Sequence, residues 1–85
     1  MARNTIFVIE DEPSIAEVVS LYLHRAGYQV QVFNHGQAAI DAMKQEMPEL
    51  VILDIMLPGM DGLEITHWIR DRGDTPIIID RKSVV

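Results

Sequence analysis

A short apolar segment that ends on the carboxylate of Asp54 restricts the possible folds of this chain more than any other feature. Four consecutive apolar residues, Leu50–Leu53, lie between Pro48 and Pro58. An uninterrupted apolar run of this length is typical of a strand buried on both faces, as in the centre of a parallel sheet. Open parallel sheets bind ligands at the carboxyl ends of their strands, so Asp54 is a candidate site residue. Alternatively, Asp54 merely caps a turn, as aspartate often does.

Three more strands and three helices are predicted around this segment. The strands begin near residues 5, 28, 50 and 76, and an amphipathic pattern lies between each consecutive pair. The apolar positions are Ile15, Val18, Val19, Tyr22 and Ala26 in the first helix, Gly36, Ala39, Ile40, Met43 and Met47 in the second, and Leu63, Ile65, Trp68 and Ile69 in the third. This β-α-β-α-β-α-β order predicts an α/β protein with a parallel sheet.

Local signals predict where the helices begin and end. Gly27 and Gly73 are placed to end the first and third helices, and Pro48 prevents the second from continuing into the central strand. Asp61 and Glu64 have the spacing of a capping box, so the third helix is expected to begin there.

Acidic residues follow both the first and the third predicted strands. Glu10 and Asp11 come directly after the run Thr5–Ile9, and Asp54 follows Leu53. Because parallel strands have their carboxyl ends at one edge of the sheet, the three acids meet if these strands are neighbours. Like charges this close repel one another, so the cluster requires bound protons or a cation. Among cations, Mg²⁺ best suits oxygen ligands together with a phosphoryl oxygen. Asp54 would then be placed to attack phosphorus as a nucleophile.

The composition narrows the range of functions. Seven Lys and Arg stand against thirteen Asp and Glu, and a net charge of −6 argues against direct binding of nucleic acid by this chain. The absence of cysteine excludes disulfides and thiolate chemistry. His24, His35 and His67 lack the spacing of metal ligands. No apolar stretch approaches the roughly 18 residues that a membrane span needs, so we expect a cytoplasmic protein that makes no membrane contact.

Three segments together resemble the receiver domain of two-component response regulators. They are Val8–Pro13, Leu50–Gly62 and Thr75–Ile78, and the resemblance covers residues 5 to 79 in order. The match is nearest to the OmpR/PhoB-like group, in which the receiver precedes a winged-helix DNA-binding domain. The resemblance implies a flavodoxin-like doubly wound parallel sheet, with order 2-1-3-4 for the strands found here.

The resemblance also implies a function for each acid. Asp54 would accept a phosphoryl group from a histidine of a sensor kinase. Asp11 and Asp54 would bind Mg²⁺ together with the backbone carbonyl of Met56, and Glu10 would act through a metal-bound water. The implied protein is a phosphorylated signalling module of a transcriptional regulator and not an enzyme with a diffusible substrate.

The resemblance stops after the fourth predicted strand. Asp80–Lys82 stand where the family has a leucine followed by a Thr/Ser-Ala pair, and neither Lys82 nor Ser83 matches the family's lysine or hydroxyl position. We therefore expect residues 1–79 to be a truncated receiver domain that lacks the last helix-strand-helix portion, and residues 80–85 to be a tail foreign to the family. An exposed fourth strand and an uncovered sheet face would favour a homo-oligomer.

Two other functions stay open. Without the family's hydroxyl and lysine, the chain could be a structural fragment that does not signal. A phosphatase or phosphotransferase of the haloacid-dehalogenase type would also form an aspartyl phosphate, but those enzymes have an Asp-x-Asp pattern, and Met56 occupies its second position.

Overall fold

The computed structural model describes residues 2–54 and 61–80, and the side chains of residues 4–54 and 61–79. The elements in chain order are β1 (Ala2–Ile9), α1 (Pro13–Arg25), β2 (Gln29–Phe33), α2 (Gly36–Gln45), β3 (Pro48–Asp54), α3 (Gly62–Arg72) and β4 (Ile77–Asp80). All strand pairs are parallel, and the sheet order is β2-β1-β3-β4. The predicted alternation and strand order are confirmed.

The pairing of β1 with β3 decides where the acidic residues lie. Ile9 at the end of β1 is in register with Leu53 of β3, and on its other side it is in register with Phe33 of β2. The residues that follow Ile9 therefore emerge beside Asp54, the last residue of β3. This register is what positions the candidate site.

The main core lies on the side of the sheet that α2 and α3 cover. It is formed by Phe7, Ile9, Val51 and Leu53 of the strands and by Ala39, Ile40, Met43, Ile65 and Ile69 of the helices. The rings of Phe7 and Phe33 pack with their centroids 4.9 Å apart. All nine residues are buried, so this layer supplies most of the hydrophobic stabilisation.

The opposite side of the sheet is only partly covered. Helix α1 packs against β1 and β2, where Ile6 and Val8 are buried. Farther along the same side, Ile52 is half-buried and Ile78 is 52% exposed. The apolar residues exposed on α1 are Ile15, Val18, Leu21 and Tyr22. Their exposure agrees with the expectation of an uncovered face.

Helices α2 and α3 each differ from the prediction at one apolar position. Met47 was expected on α2, but the helix ends at Gln45 and Met47 lies in the connection to β3, where it packs against the main core. Leu63 was expected on the apolar face of α3 together with Ile65 and Ile69, but it is 52% exposed, whereas Ile65 and Ile69 are buried as predicted.

The predicted ends of the helices are confirmed, and only the start of β3 differs from the prediction. Helix α2 ends before Pro48, as predicted, and Pro48 is itself the first residue of β3, a position where proline is tolerated. Asp61 is the N-cap of α3, and its Oδ1 accepts a hydrogen bond from the Leu63 N–H at 2.9 Å. Gly27 follows α1 with a φ of 97°, a conformation that favours glycine. None of the helices in the described ranges combines the length and the apolar character needed to cross a membrane.

Asn4, near the start of β1, has a left-handed backbone conformation that can be tested by substitution. Asn4 has a φ of 60°, and its N–H donates to Glu49 Oε2 at 3.1 Å. A β-branched side chain is strained in this conformation, whereas glycine is not. We expect Asn4→Val to lower the free energy of unfolding by about 1–2 kcal/mol. Asn4→Gly should leave it nearly unchanged. Urea unfolding of the two variants checks this, and equal losses would show that Asn4 is not left-handed.

Candidate functional site

Asp54 lies at the carboxyl end of a central strand and is 2% exposed. Strand β3 has β1 on one side and β4 on the other, so its last residue lies between two neighbouring strand ends. A carboxylate buried at this depth loses its hydration, and it requires compensating charge or hydrogen bonds to stay ionised. Asp54 is therefore the first candidate for a functional residue at this edge.

Glu10 and Asp11 reach Asp54 from the adjacent strand. Glu10 is 6% exposed, and Asp11 is half-buried. One carboxylate oxygen from each of the three residues lies within 4.8 Å of the others. The structure thus brings together the three acids that the sequence predicted would meet.

Backbone hydrogen bonds hold Glu10 in place. Its N–H donates to the carbonyl of Phe33 at 2.8 Å, which ties the end of β1 to the end of β2. Its Oε2 accepts from the N–H of Glu12 at 3.0 Å, at the entrance to α1. The carboxylate of Glu10 is therefore oriented by the chain itself. The role of the Glu12 N–H was missed in the sequence, because no side-chain pattern reports a backbone donor.

The electrostatics of the cluster favour a cation. Two like unit charges 4.8 Å apart repel by roughly 3.5 kcal/mol at an effective dielectric of about 20. Three carboxylate oxygens at such separations form a donor set that suits a hard divalent cation. The residues present therefore fit a metal ion of this class.

A cavity of about 410 Å³ adjoins the acids on the side of β2. It is lined by Glu10, Asp11, Pro13, Ala16, Val32 and Asn34. A larger cavity, of about 770 Å³, lies between the α2–β3 and α3–β4 connections, away from the three acids. We place the site at the smaller cavity because the acid cluster supplies the chemistry there. The sequence analysis did not identify Asn34 as a site residue, although its position after β2 puts it at the same sheet edge.

The remaining candidate residues lie away from the cluster or outside the described ranges. Met56, Lys82 and Ser83 lie outside the described residues. His24 and His67 are exposed on α1 and α3. His35 is the N-cap of α2, and its Nδ1 accepts from the Ala38 N–H at 3.3 Å.

Comparisons with known proteins identify the family of this chain. The profile of the family described as response regulator receiver domain matches residues 6–80. A curated relative, the DNA-binding response regulator MtrA of Mycolicibacterium smegmatis, is 36% identical over 77 residues, which are 91% of this chain and 34% of MtrA. The chain thus spans about a third of that relative's length.

Solved structures support the fold. TrrA of Thermotoga maritima in complex with Mg²⁺-BeF matches with a TM-score of 0.83 and 35% identity, covering 91% of this chain and 68% of TrrA. The BeF₃-activated receiver domain of Klebsiella pneumoniae RstA matches with a TM-score of 0.86 and 32% identity, covering 95% of this chain and 69% of that one. The flavodoxin-like architecture is confirmed.

Proposed function

The chain belongs to the response regulator receiver domain family, and on that basis we propose that it accepts a phosphoryl group on Asp54 from a sensor histidine kinase. The observation that carries this proposal is the meeting of Asp54 with Glu10 and Asp11, whose oxygens lie within 4.8 Å of one another. A nucleophilic carboxylate beside two further acids is the arrangement that a metal-assisted phosphoryl transfer needs.

We assign the metal role to Mg²⁺. Asp11 and Asp54 would be its direct carboxylate ligands, the backbone carbonyl of Met56 would add a third, and Glu10 would act through a bound water. The orientation of Glu10 by the Glu12 N–H supports an indirect role, since one of its oxygens is already engaged. When bound, the cation neutralises charge on the transferring group. The Mg²⁺-BeF complex of TrrA supports the choice of metal.

In the proposed transfer, Asp54 supplies the electron pair. One of its carboxylate oxygens forms a bond to phosphorus while the bond between phosphorus and the imidazole nitrogen of the kinase breaks. The nitrogen keeps the electron pair of the broken bond and takes up a proton. Asp54 is buried at the end of a strand, so its attacking oxygen is already oriented. The sheet shields this oxygen from bulk water on one side.

We further propose the setting in which this module works. The likeness to MtrA supports a transcriptional regulator as the parent protein, with DNA binding outside this chain. The chain itself would be a cytoplasmic signalling module, without a diffusible substrate and without membrane contact. It would associate with itself through the exposed β4 and the uncovered side of the sheet. The division into a receiver at residues 1–79 and a tail at residues 80–85 stays a prediction.

A magnesium titration tests the metal assignment. Asp11→Asn removes one ligand charge and should weaken Mg²⁺ binding on the order of 10-fold or more, since even supporting residues of metal sites contribute that much. Asp71→Asn makes the same change at an exposed position on α3 and is the matched control. Isothermal titration calorimetry of both variants and the unaltered chain gives the affinities. Equal affinities in the two variants would remove Asp11 from the site.

A further inference from the structure

The last residue of β2 is fixed to the main core by its side chain. Phe33 is half-buried and packs against that core. Its ring centroid lies 4.9 Å from that of Phe7, with an angle of 57° between the ring planes. Tilted aromatic pairs at this distance attract one another beyond the effect of their buried area. Because β2 pairs with β1 alone among the described strands, this ring contact is a substantial part of what fixes the end of β2.

The backbone of Phe33 in turn holds the start of the acidic segment. The Glu10 N–H donates to the carbonyl of Phe33 at 2.8 Å. This bond extends the pairing of β1 with β2 by one residue beyond Ile9, which is in register with Phe33. Glu10 is only 6% exposed, and a hydrogen bond shielded from water is electrostatically stronger than one in solution. A displacement of β2 at Phe33 would therefore displace Glu10 as well.

The acidic segment is also held at its other end. Glu12 is the N-cap of α1, and its carbonyl accepts a hydrogen bond from the Ala16 N–H at 3.0 Å. The N–H of Glu12 donates to Glu10 Oε2 at 3.0 Å. Asp11 lies between Glu10 and Glu12 in the chain, so the position of its carboxylate depends on both attachments.

The third acid of the cluster has a separate support. Asp54 is the last residue of β3, and β3 is not adjacent to β2 in the sheet. A divalent cation in the cluster needs oxygens from both strand ends at ligand distance at the same time. The distance between the two supports therefore decides how well the three acids bind a cation.

We propose that Phe33 is a positioning residue for the cation site. Its ring contact with Phe7 fixes the end of β2, and its carbonyl then keeps the acids that follow β1 close to Asp54. This inference rests on the proposed magnesium site and adds to it a residue outside the set of ligands. Residues that orient metal ligands change metal affinity without binding the metal themselves.

Magnesium titration of variants at Phe33 tests this role. Phe33→Leu keeps an apolar side chain and the backbone carbonyl but removes the ring pair. We expect its Mg²⁺ affinity to fall roughly 3–10-fold, at or below the lower end of the range for residues that support metal ligands. Phe33→Tyr retains the ring and should bind Mg²⁺ like the unaltered chain.

Ile69→Val is the control for a general loss of core packing. Ile69 is buried in the same core but lies in the second half of α3, which runs away from the acidic edge of the sheet. Removal of one buried carbon lowers stability, and urea unfolding measures this loss in each variant. We expect Ile69→Val to be less stable than the unaltered chain and yet to bind Mg²⁺ with the same affinity.

Isothermal titration calorimetry of the folded variants decides the outcome. Equal Mg²⁺ affinities for Phe33→Leu and Ile69→Val would overturn the positioning role. Asp11→Asn, titrated alongside, distinguishes this failure from a failure of the site. If Asp11→Asn weakens binding and Phe33→Leu does not, the positioning role alone is wrong. If the unaltered chain binds no Mg²⁺, the proposed magnesium site is wrong as well.

Discussion

Ile65→Ala should lower the free energy of unfolding by about 2–5 kcal/mol, whereas Leu63→Ala should change it by about 0.5 kcal/mol or less. Both residues lie near the start of α3, but Ile65 is 0% exposed in the main core and Leu63 is 52% exposed. Removing the buried side chain leaves a cavity between the helix and the sheet, and removing the exposed one leaves none. The two variants thus compare the loss of a buried side chain with the loss of an exposed one at nearly the same place in the chain.

The expected loss is large for a chain of this size. At roughly 0.05–0.15 kcal/mol per residue, a domain of 85 residues has a free energy of unfolding of about 4–13 kcal/mol. Ile65→Ala would remove a substantial part of it. Urea unfolding followed by the fluorescence of Trp68, which is half-buried on the same helix, measures both variants. Similar losses for Ile65→Ala and Leu63→Ala would contradict the orientation of α3.

Much of the fold and the meeting of the acids could be predicted because both follow from the parallel sheet. Uninterrupted apolar runs identified β1 and β3, and parallel strands have their carboxyl ends at one edge. Once β1 and β3 are neighbours, Glu10 and Asp11 must emerge near Asp54. The spacing of the strands predicted this juxtaposition on the condition that β1 and β3 are neighbours, and the strand order that makes them neighbours was implied by the resemblance to receiver domains.

The errors arose where tertiary packing decides the outcome. Helical periodicity placed Met47 and Leu63 on apolar faces, but it does not report where a helix ends or how it is rotated on the sheet. Helix α2 ends at Gln45, and α3 turns Ile65 and Ile69 toward the core but leaves Leu63 exposed. The contribution of the Glu12 N–H to the site could not be predicted, because it depends on loop geometry and backbone direction. The place of Asn34 at the same sheet edge could have been predicted, because Asn34 directly follows β2.

The central prediction concerns Asp54, and we expect its replacement by alanine to abolish phosphorylation. The nucleophile is the carboxylate oxygen itself, so no neighbouring residue can restore the reaction in its absence. Glu10 and Asp11 share the cluster, but each has another role in the proposed site, in positioning the cation or its water. Asp71→Ala, which removes an exposed carboxylate from α3, should be phosphorylated like the unaltered chain.

Intact-mass spectrometry after incubation with acetyl phosphate and Mg²⁺ tests this claim most directly. The unaltered chain and Asp71→Ala should each gain the mass of one phosphoryl group, and Asp54→Ala should gain none. No gain in the unaltered chain would favour a structural fragment that does not signal. A phosphoryl group that persists in Asp54→Ala would contradict the assignment of Asp54 as the phosphoacceptor.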